Sequence, residues 1–414
     1  MRVSRRLSAV VCVASIAAIG PTALSGGPPA SATSVTAAVA ASPRASTPYV
    51  AVLGDSYSSG EAGRWAGSSD ISTSYADALG PTAYFDNASH TAERIPGCHR
   101  SRSDEAYIGR GVGGVDLACS GAMTTTYTDD HGHFKPGLDF YHDASGNIGQ
   151  ARALRRFASS HRVAMVVVSI GGNDFGFGAV VAQCVTDFLT SPIWAKDFCS
   201  DDASVVAAFD SAHRAAVRAK ISRGLLRVRQ AMRDAGYRDR SWTLVVQTYP
   251  SPIPRGSGFR YSERDFTRQA VGGCGFWNAD ARWANATALP AINGTVQKAL
   301  KAAHVRGAKV LDVSHAFNGR RLCESSVGLY EERGLTSWTQ PGAVDATEWV
   351  NQIRTLSAAV GPYSVQESLH PNYWGQLALR SCVRKVYHSG APRGGTCAIA
   401  GHGLRHGEPR MHLR

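Results

Sequence analysis

The chain has 414 residues, of which 43% are hydrophobic and only 18% charged, so one sizeable core is feasible. Its formal charge is +12, yet the basic residues are scattered rather than packed into one stripe, which argues against nucleic acid as a partner. That charge reads first as solubility; anionic lipid surfaces or acidic polymers are the partners it would favour.

Residues 1–32 read as an export leader. Arg2, Arg5 and Arg6 make a basic start, Leu7 to Ile19 is apolar, and Ala30-Ser31-Ala32 is a small-residue cleavage pattern. No later segment reaches about 18 uninterrupted apolar residues, so no membrane span is expected. Residues 33–47 are Ala, Ser, Thr and Pro and read as a disordered linker. Residues 48–390 form the folded domain, and 391–414 a basic, frayed tail tied only by Cys397.

Within the domain, five short apolar runs read as buried strands: Tyr49–Leu53, Val115–Ala118, Val163–Ser169, Thr243–Thr248 and Ala308–Val313. Between the third and fourth, Val206, Phe209, Val217, Ile221, Leu225, Val228 and Met232 share one helical face, with Gly236 suited to the C-terminal cap. Between the fourth and fifth, Leu289, Ile292, Val296 and Leu300 make a second stripe. This alternation argues for a parallel sheet covered on both faces. Long irregular stretches at 60–114, 184–203, 250–284 and 318–345 interrupt it, and Trp65, Trp194, Trp277 and Trp283 fall in or beside them. Those rings would line a pocket or pack on disulfides.

Cys12 falls in the leader, which leaves eight of the nine cysteines. An even number in an exported chain points to four disulfides. Spacing alone cannot choose the connectivity. Pairing between sequence neighbours is the expectation: Cys98–Cys119, Cys184–Cys199, Cys274–Cys323 and Cys382–Cys397. No Cys-x-x-Cys occurs, so no metal site is expected. Asp129-Asp130-His131-Gly132-His133 reads as a solvated loop.

Open parallel sheets bind ligands at the carboxyl ends of their strands. Gly54-Asp55-Ser56 follows the first strand, Cys119-Ser120-Gly121 the second, and Gly171-Gly172-Asn173-Asp174 the third. Glu367-Ser368-Leu369-His370-Pro371-Asn372 precedes a last helical run. Together they suit acyl transfer. A serine hydroxyl needs an adjacent base, and His370 is the natural one for Ser56. The base needs an orienting partner, and Glu367 lies three residues earlier. An oxyanion needs donors, for which the Ser56 and Gly121 N–H groups and the Asn173 amide are suited. No Gly-x-Ser-x-Gly occurs, which excludes the α/β-hydrolase arrangement.

In "GDSYSSGE", "ACSGA", "IGGND" and "ESLHPN" the chain resembles, in order, the motif blocks of the SGNH, or GDSL-type, esterases and lipases. Its long loops and cysteines resemble the secreted actinobacterial branch. The resemblance implies a flavodoxin-like three-layer α/β/α sandwich around a mostly parallel sheet, here five-stranded, with disulfide-stapled loops. It implies serine-dependent ester hydrolysis without a cofactor. It places the nucleophile at Ser56, the oxyanion donors at Ser56, Gly121 and Asn173, and the base at His370. The chain departs from the family at Glu367, where aspartate is usual. Secreted members also orient the histidine by a backbone carbonyl, and that alternative stays open. The expectation is a secreted, monomeric hydrolase of small-molecule or lipid esters, acyl lipids or phospholipids above all, touching anionic lipid only peripherally. The rivals are a polysaccharide deacetylase with the same site and a non-catalytic surface-binding protein on the same fold.

Overall fold

The computed structural model describes residues 47–354 and 362–414. The leader and all but the last residue of the linker lie outside the described residues. Strand β1 (Pro48–Gly54) shows why the sheet forms. Val50 and Val52 enter one core, Ala51 and Leu53 the other, and all four are fully buried. This two-sided burial is what an apolar, β-branched run in a parallel sheet requires. β3 (Arg162–Ser169) repeats it: Met165 and Val167 face the first core, Val166 and Val168 the second.

The other strands of this sheet are β2 (Gly113–Asp116), β4 (Thr243–Gln247), β5 (Lys309–Asp312), β6 (Gly395–Arg405) and β7 (Glu408–Leu413), in the order β2-β1-β3-β4-β5-β6-β7. Strands β1 to β6 pair in parallel and β7 runs antiparallel. The first five follow the flavodoxin-like order, whose ligand crevice opens between β1 and β3, where the winding reverses.

Two expectations need correction. The sheet has seven strands, not five, and the residues expected to fray form β6 and β7. His406 and Gly407 both take left-handed φ angles, 57° and 79°, between the paired Arg405 and Glu408. That is a tight two-residue hairpin turn. Cys397, bonded to Cys382, anchors the hairpin to the body.

Helices α2 (Gln150–Ser160), α4 (Ser211–Asp234) and α5 (Leu289–Ala303) pack on one face through Leu154, Ile221, Leu225 and Val296. α3 (Phe177–Thr190) and α6 (Tyr373–Tyr387) contribute Cys184, Leu377 and Val383 to the other core. The result is a three-layer α/β sandwich. The long helix starts later than its apolar stripe suggests. Val206 lies in a separate turn, Ala203–Ala208, and the Asp210 carboxylate accepts the His213 N–H to cap a new start. The four disulfides join the cysteines expected.

Candidate active site

β1 stops where its backbone crowds β3. Gly54 has φ 141°, and a Cβ there would lie 2.0 Å from the Ser169 carbonyl oxygen, so only glycine fits. The Gln150 amide clamps this end, accepting from Gly54 N and donating to Gly54 O, both at 2.8 Å. Asp55 donates its N–H to Ser169 O at 3.0 Å, and its carboxylate caps the next turn by accepting Tyr57 N–H at 3.2 Å. Ser56 thus opens the short helix α1 (Ser56–Ser59), with its own N–H free of any intrahelical acceptor.

Asp55 is a brace rather than a reactant. Burial pushes its carboxyl up to about 7, against the pull of a short hydrogen bond from the Tyr249 hydroxyl. The same hydroxyl accepts the Gly172 N–H at 3.0 Å. The ends of β1 and β3 are therefore held together through one tyrosine.

The turn carrying His370 meets this point from across the sequence. His370 Nε2 lies 2.6 Å from Ser56 Oγ, and its Nδ1 lies 2.9 Å from the Ser368 carbonyl oxygen. A carbonyl can only accept, so Nδ1 carries the proton and Nε2 presents a lone pair to the serine hydroxyl. Burial lowers the His370 pKa below the usual histidine value, and the negative charge of Glu61 opposes that only in part. The geometry depends on Leu369, a non-glycine residue with φ 62°. Its N–H is held by Asn351 O at 3.1 Å and its carbonyl by the Tyr57 hydroxyl at 3.0 Å. Past His370, the Asn372 side chain caps α6 by accepting from Trp374 N and Gly375 N.

Glu367, expected to orient the imidazole, faces elsewhere. Its carboxylate accepts the Trp65 indole N–H at 2.9 Å, the Tyr84 hydroxyl, and the Ser364 N–H at 3.1 Å in a capping box. The extra methylene lets it satisfy those donors, and the Ser368 carbonyl takes the place at the ring. Asn173 lines the same cleft as Ser56. It donates one amide hydrogen to Ala122 O at 2.9 Å, which leaves the second for a ligand. Gly121, at φ 79°, directly precedes Ala122 in the turn after β2. The Asp174 carboxylate braces that turn, accepting from Thr124 N at 3.0 Å and its hydroxyl at 2.8 Å.

Sequence reasoning misses a second layer. Glu61, fully buried, pairs with His99 Nδ1 at 2.8 Å and accepts from Gln366 Nε2 at 2.9 Å. Burial works against both charges, yet the pairing wins: Glu61 falls to about 2 and His99 rises to about 9. Tyr84 stacks on His99, with ring centroids 4.5 Å apart. The layer grips the turn four residues before His370. Its one sequence signal is an acidic residue closing "GDSYSSGE"; nothing local points to His99.

Behind Ser56 the cleft continues into an apolar chamber. Phe177, Pro252, Leu289 and Ile292 line both compartments, and Phe209, Phe276 and Trp283 close the far one. Of the other loop tryptophans, Trp65 and Trp277 are buried in packing and Trp194 is exposed.

No family model and no curated protein matches the chain. Among solved structures it is similar to an extracellular lipase from Streptomyces rimosus (22% identity, 81% of this chain and 99% of that one, TM-score 0.40). It is similar also to a phospholipase A1 from Streptomyces albidoflavus (19%, 82% and 98%, TM-score 0.42) and to a carbohydrate acetylesterase from Sinorhizobium meliloti (11%, 63% and 82%, TM-score 0.26). These likenesses are distant, and the site has to stand on its own geometry.

Proposed function

We propose that the chain is a secreted carboxylic ester hydrolase of the SGNH type, acting on acyl lipids. The observation that carries this is the Ser56 Oγ to His370 Nε2 contact of 2.6 Å, with the far nitrogen fixed by the Ser368 carbonyl. Ser56 Oγ attacks the ester carbonyl while His370 takes its proton. The N–H groups of Ser56 and Gly121 and the free Asn173 amide hydrogen hold the oxyanion. His370 then protonates the departing alkoxide. Water, deprotonated by the same imidazole, releases the acid and restores Ser56. The reaction is run by a Ser–His dyad, with a backbone dipole where a triad has a carboxylate.

The apolar lining supports an acyl chain as the group bound; its open volume, about 70 Å³ beside about 30 Å³ at the serine, takes the first few carbons, so a longer chain widens it or runs on along the surface. The chamber begins beside the nucleophile and is walled by aliphatic and aromatic side chains. Four disulfides and the leader-like start support export.

The test is a series of p-nitrophenyl esters from acetyl to palmitoyl, with fluorophosphonate labelling of the folded, oxidised protein. Activity rising with chain length, and labelling that Ser56→Ala abolishes, are expected. Ile292→Trp should cut activity on long chains by about tenfold and spare acetyl, since one buried ring fills the passage. Acetyl-only activity would assign a deacetylase. An unreactive Ser56 would leave a binding protein.

A further inference from the structure

Five arginines and a lysine, scattered in the sequence, gather at the end of the sheet away from Ser56. A groove of about 900 Å³ is lined by Arg110, Arg384, Lys385, Arg393, Arg405 and Arg410, and no carboxylate lines it. Arg384 is neutralised by Glu408. Among the described residues the other five make no ion pair. Burial first, then the charges of Arg405, Arg384 and Arg110, hold the Lys385 ammonium below its ordinary pKa. Such a concentration of like charge weakens the fold unless an anion offsets it.

Two rulers place this groove far from the ester site. Pro48, at the start of β1, lines it, whereas Ser56 follows the end of β1, about 20 Å along a strand of this length. The last turn of α6 lines it too, whereas His370 precedes the first turn, again about 20 Å away along a 15-residue helix.

We propose that this groove is a second binding site, for a soluble oligoanion carrying several phosphate groups. Arginine forks match phosphate oxygens in pairs, and the groove offers several along one concavity. Concavity and position disfavour a bilayer, because a flat surface cannot enter the groove and a membrane held there would face away from Ser56. Base stacking is the weaker match: Tyr387 in the lining is buried, which leaves only the exposed His388 and His406 rings, whereas the arginines match phosphate directly. The site is independent of the ester chemistry.

The experiment is calorimetric titration of the whole protein with sodium tripolyphosphate and, separately, with inorganic monophosphate. Tripolyphosphate should bind at least about tenfold more tightly, and its affinity should fall steeply with salt. Arg393→Glu with Arg405→Glu and Arg410→Glu should weaken it by about tenfold or more, with ester hydrolysis unchanged and the melting temperature equal to the parent's or higher, since like-charge repulsion is relieved. Should charge reversal unfold the hairpin, Arg393→Gln with Arg410→Gln provides the same comparison. Equal affinity for the two phosphates, or variants that bind like the parent, would overturn the proposal. So would sedimentation with phosphatidylglycerol vesicles without affinity for tripolyphosphate, which would make the groove a membrane contact.

Discussion

The two turns that meet at the candidate site are built in opposite ways. The Ser56 turn is made largely by the strand it ends: Gly54 permits the approach to β3, Asp55 caps the turn, and Ser56 follows. The His370 turn is made by strangers. Asn351, Tyr57, Trp65, Tyr84 and Glu61 hold it from other segments, directly or through Gln366. The Ser56 turn takes its shape from its own strand end and is braced from outside by Gln150 and Tyr249, whereas the His370 turn, beyond its own capping box, rests on contacts from several other segments. The second should register damage elsewhere in the molecule more than the first.

The strongest way to break the comparison is to remove either partner. Ser56→Ala and His370→Ala should each lower kcat by about 10⁵-fold or more, and the double variant should be no worse, because the two act as one unit. Steady-state and burst kinetics on a p-nitrophenyl ester read this directly. Additive losses would mean that the two turns do not share a step. Asn173→Ala should cost about 10²- to 10³-fold in kcat with KM little changed, as for one oxyanion donor. A loss confined to KM would move Asn173 from the transition state to substrate binding.

The same contrast explains what can be read from the chain. Ser56, Asn173 and His370 are legible because each sits in a short motif at a strand or helix end, where the topology of a parallel sheet gathers functional groups. The cystines are legible as neighbours in sequence. The orientation of Glu367 is not. A three-residue spacing allows its carboxylate to reach His370; besides the Ser364 N–H of its capping box, it is Trp65 and Tyr84, 302 and 283 residues away, that turn it aside. Strands β6 and β7 escape notice for a related reason. Residues 395–405 are glycine-rich and only partly buried, and what holds them to the body is distant in sequence: pairing with β5, the Cys382–Cys397 bond, and the Arg384–Glu408 pair in the adjoining strand.

Glu367→Ala sharpens the comparison, because it separates holding the turn from running the reaction. A triad acid would cost about 10⁴-fold in kcat. Here the expected loss is below about tenfold, with a stability loss of about 2–3 kcal/mol from leaving the Trp65 and Tyr84 donors without their acceptor. Chemical denaturation and kcat measured on one preparation separate the two. A large kcat loss at unchanged stability would restore the carboxylate to the mechanism.

The mildest probe is pH, applied to the layer beneath the His370 turn. His99 has its pKa raised from 6.5 to about 9. A folded-state pKa above the unfolded one means that its contribution is whole below pH 6.5 and is lost as pH rises through about 9. At about 1.4 kcal/mol per pH unit the whole loss is on the order of 3–4 kcal/mol, of which roughly 2–3 falls between pH 7 and 9.5. Asp55 and Glu105, raised by burial to about 7, shed their own contributions as pH climbs toward 7, so the comparison belongs between pH 7 and 9.5. Denaturation at those two values should show the parent weakening. In Glu61→Gln the decline should shrink to under about 1 kcal/mol. It should not vanish, because Glu93 also lies 3.6 Å from the His99 ring. Equal declines in the two proteins would show that the buried pair does not set the alkaline limit, and that Glu61 serves the His370 turn only through its hydrogen bond from Gln366.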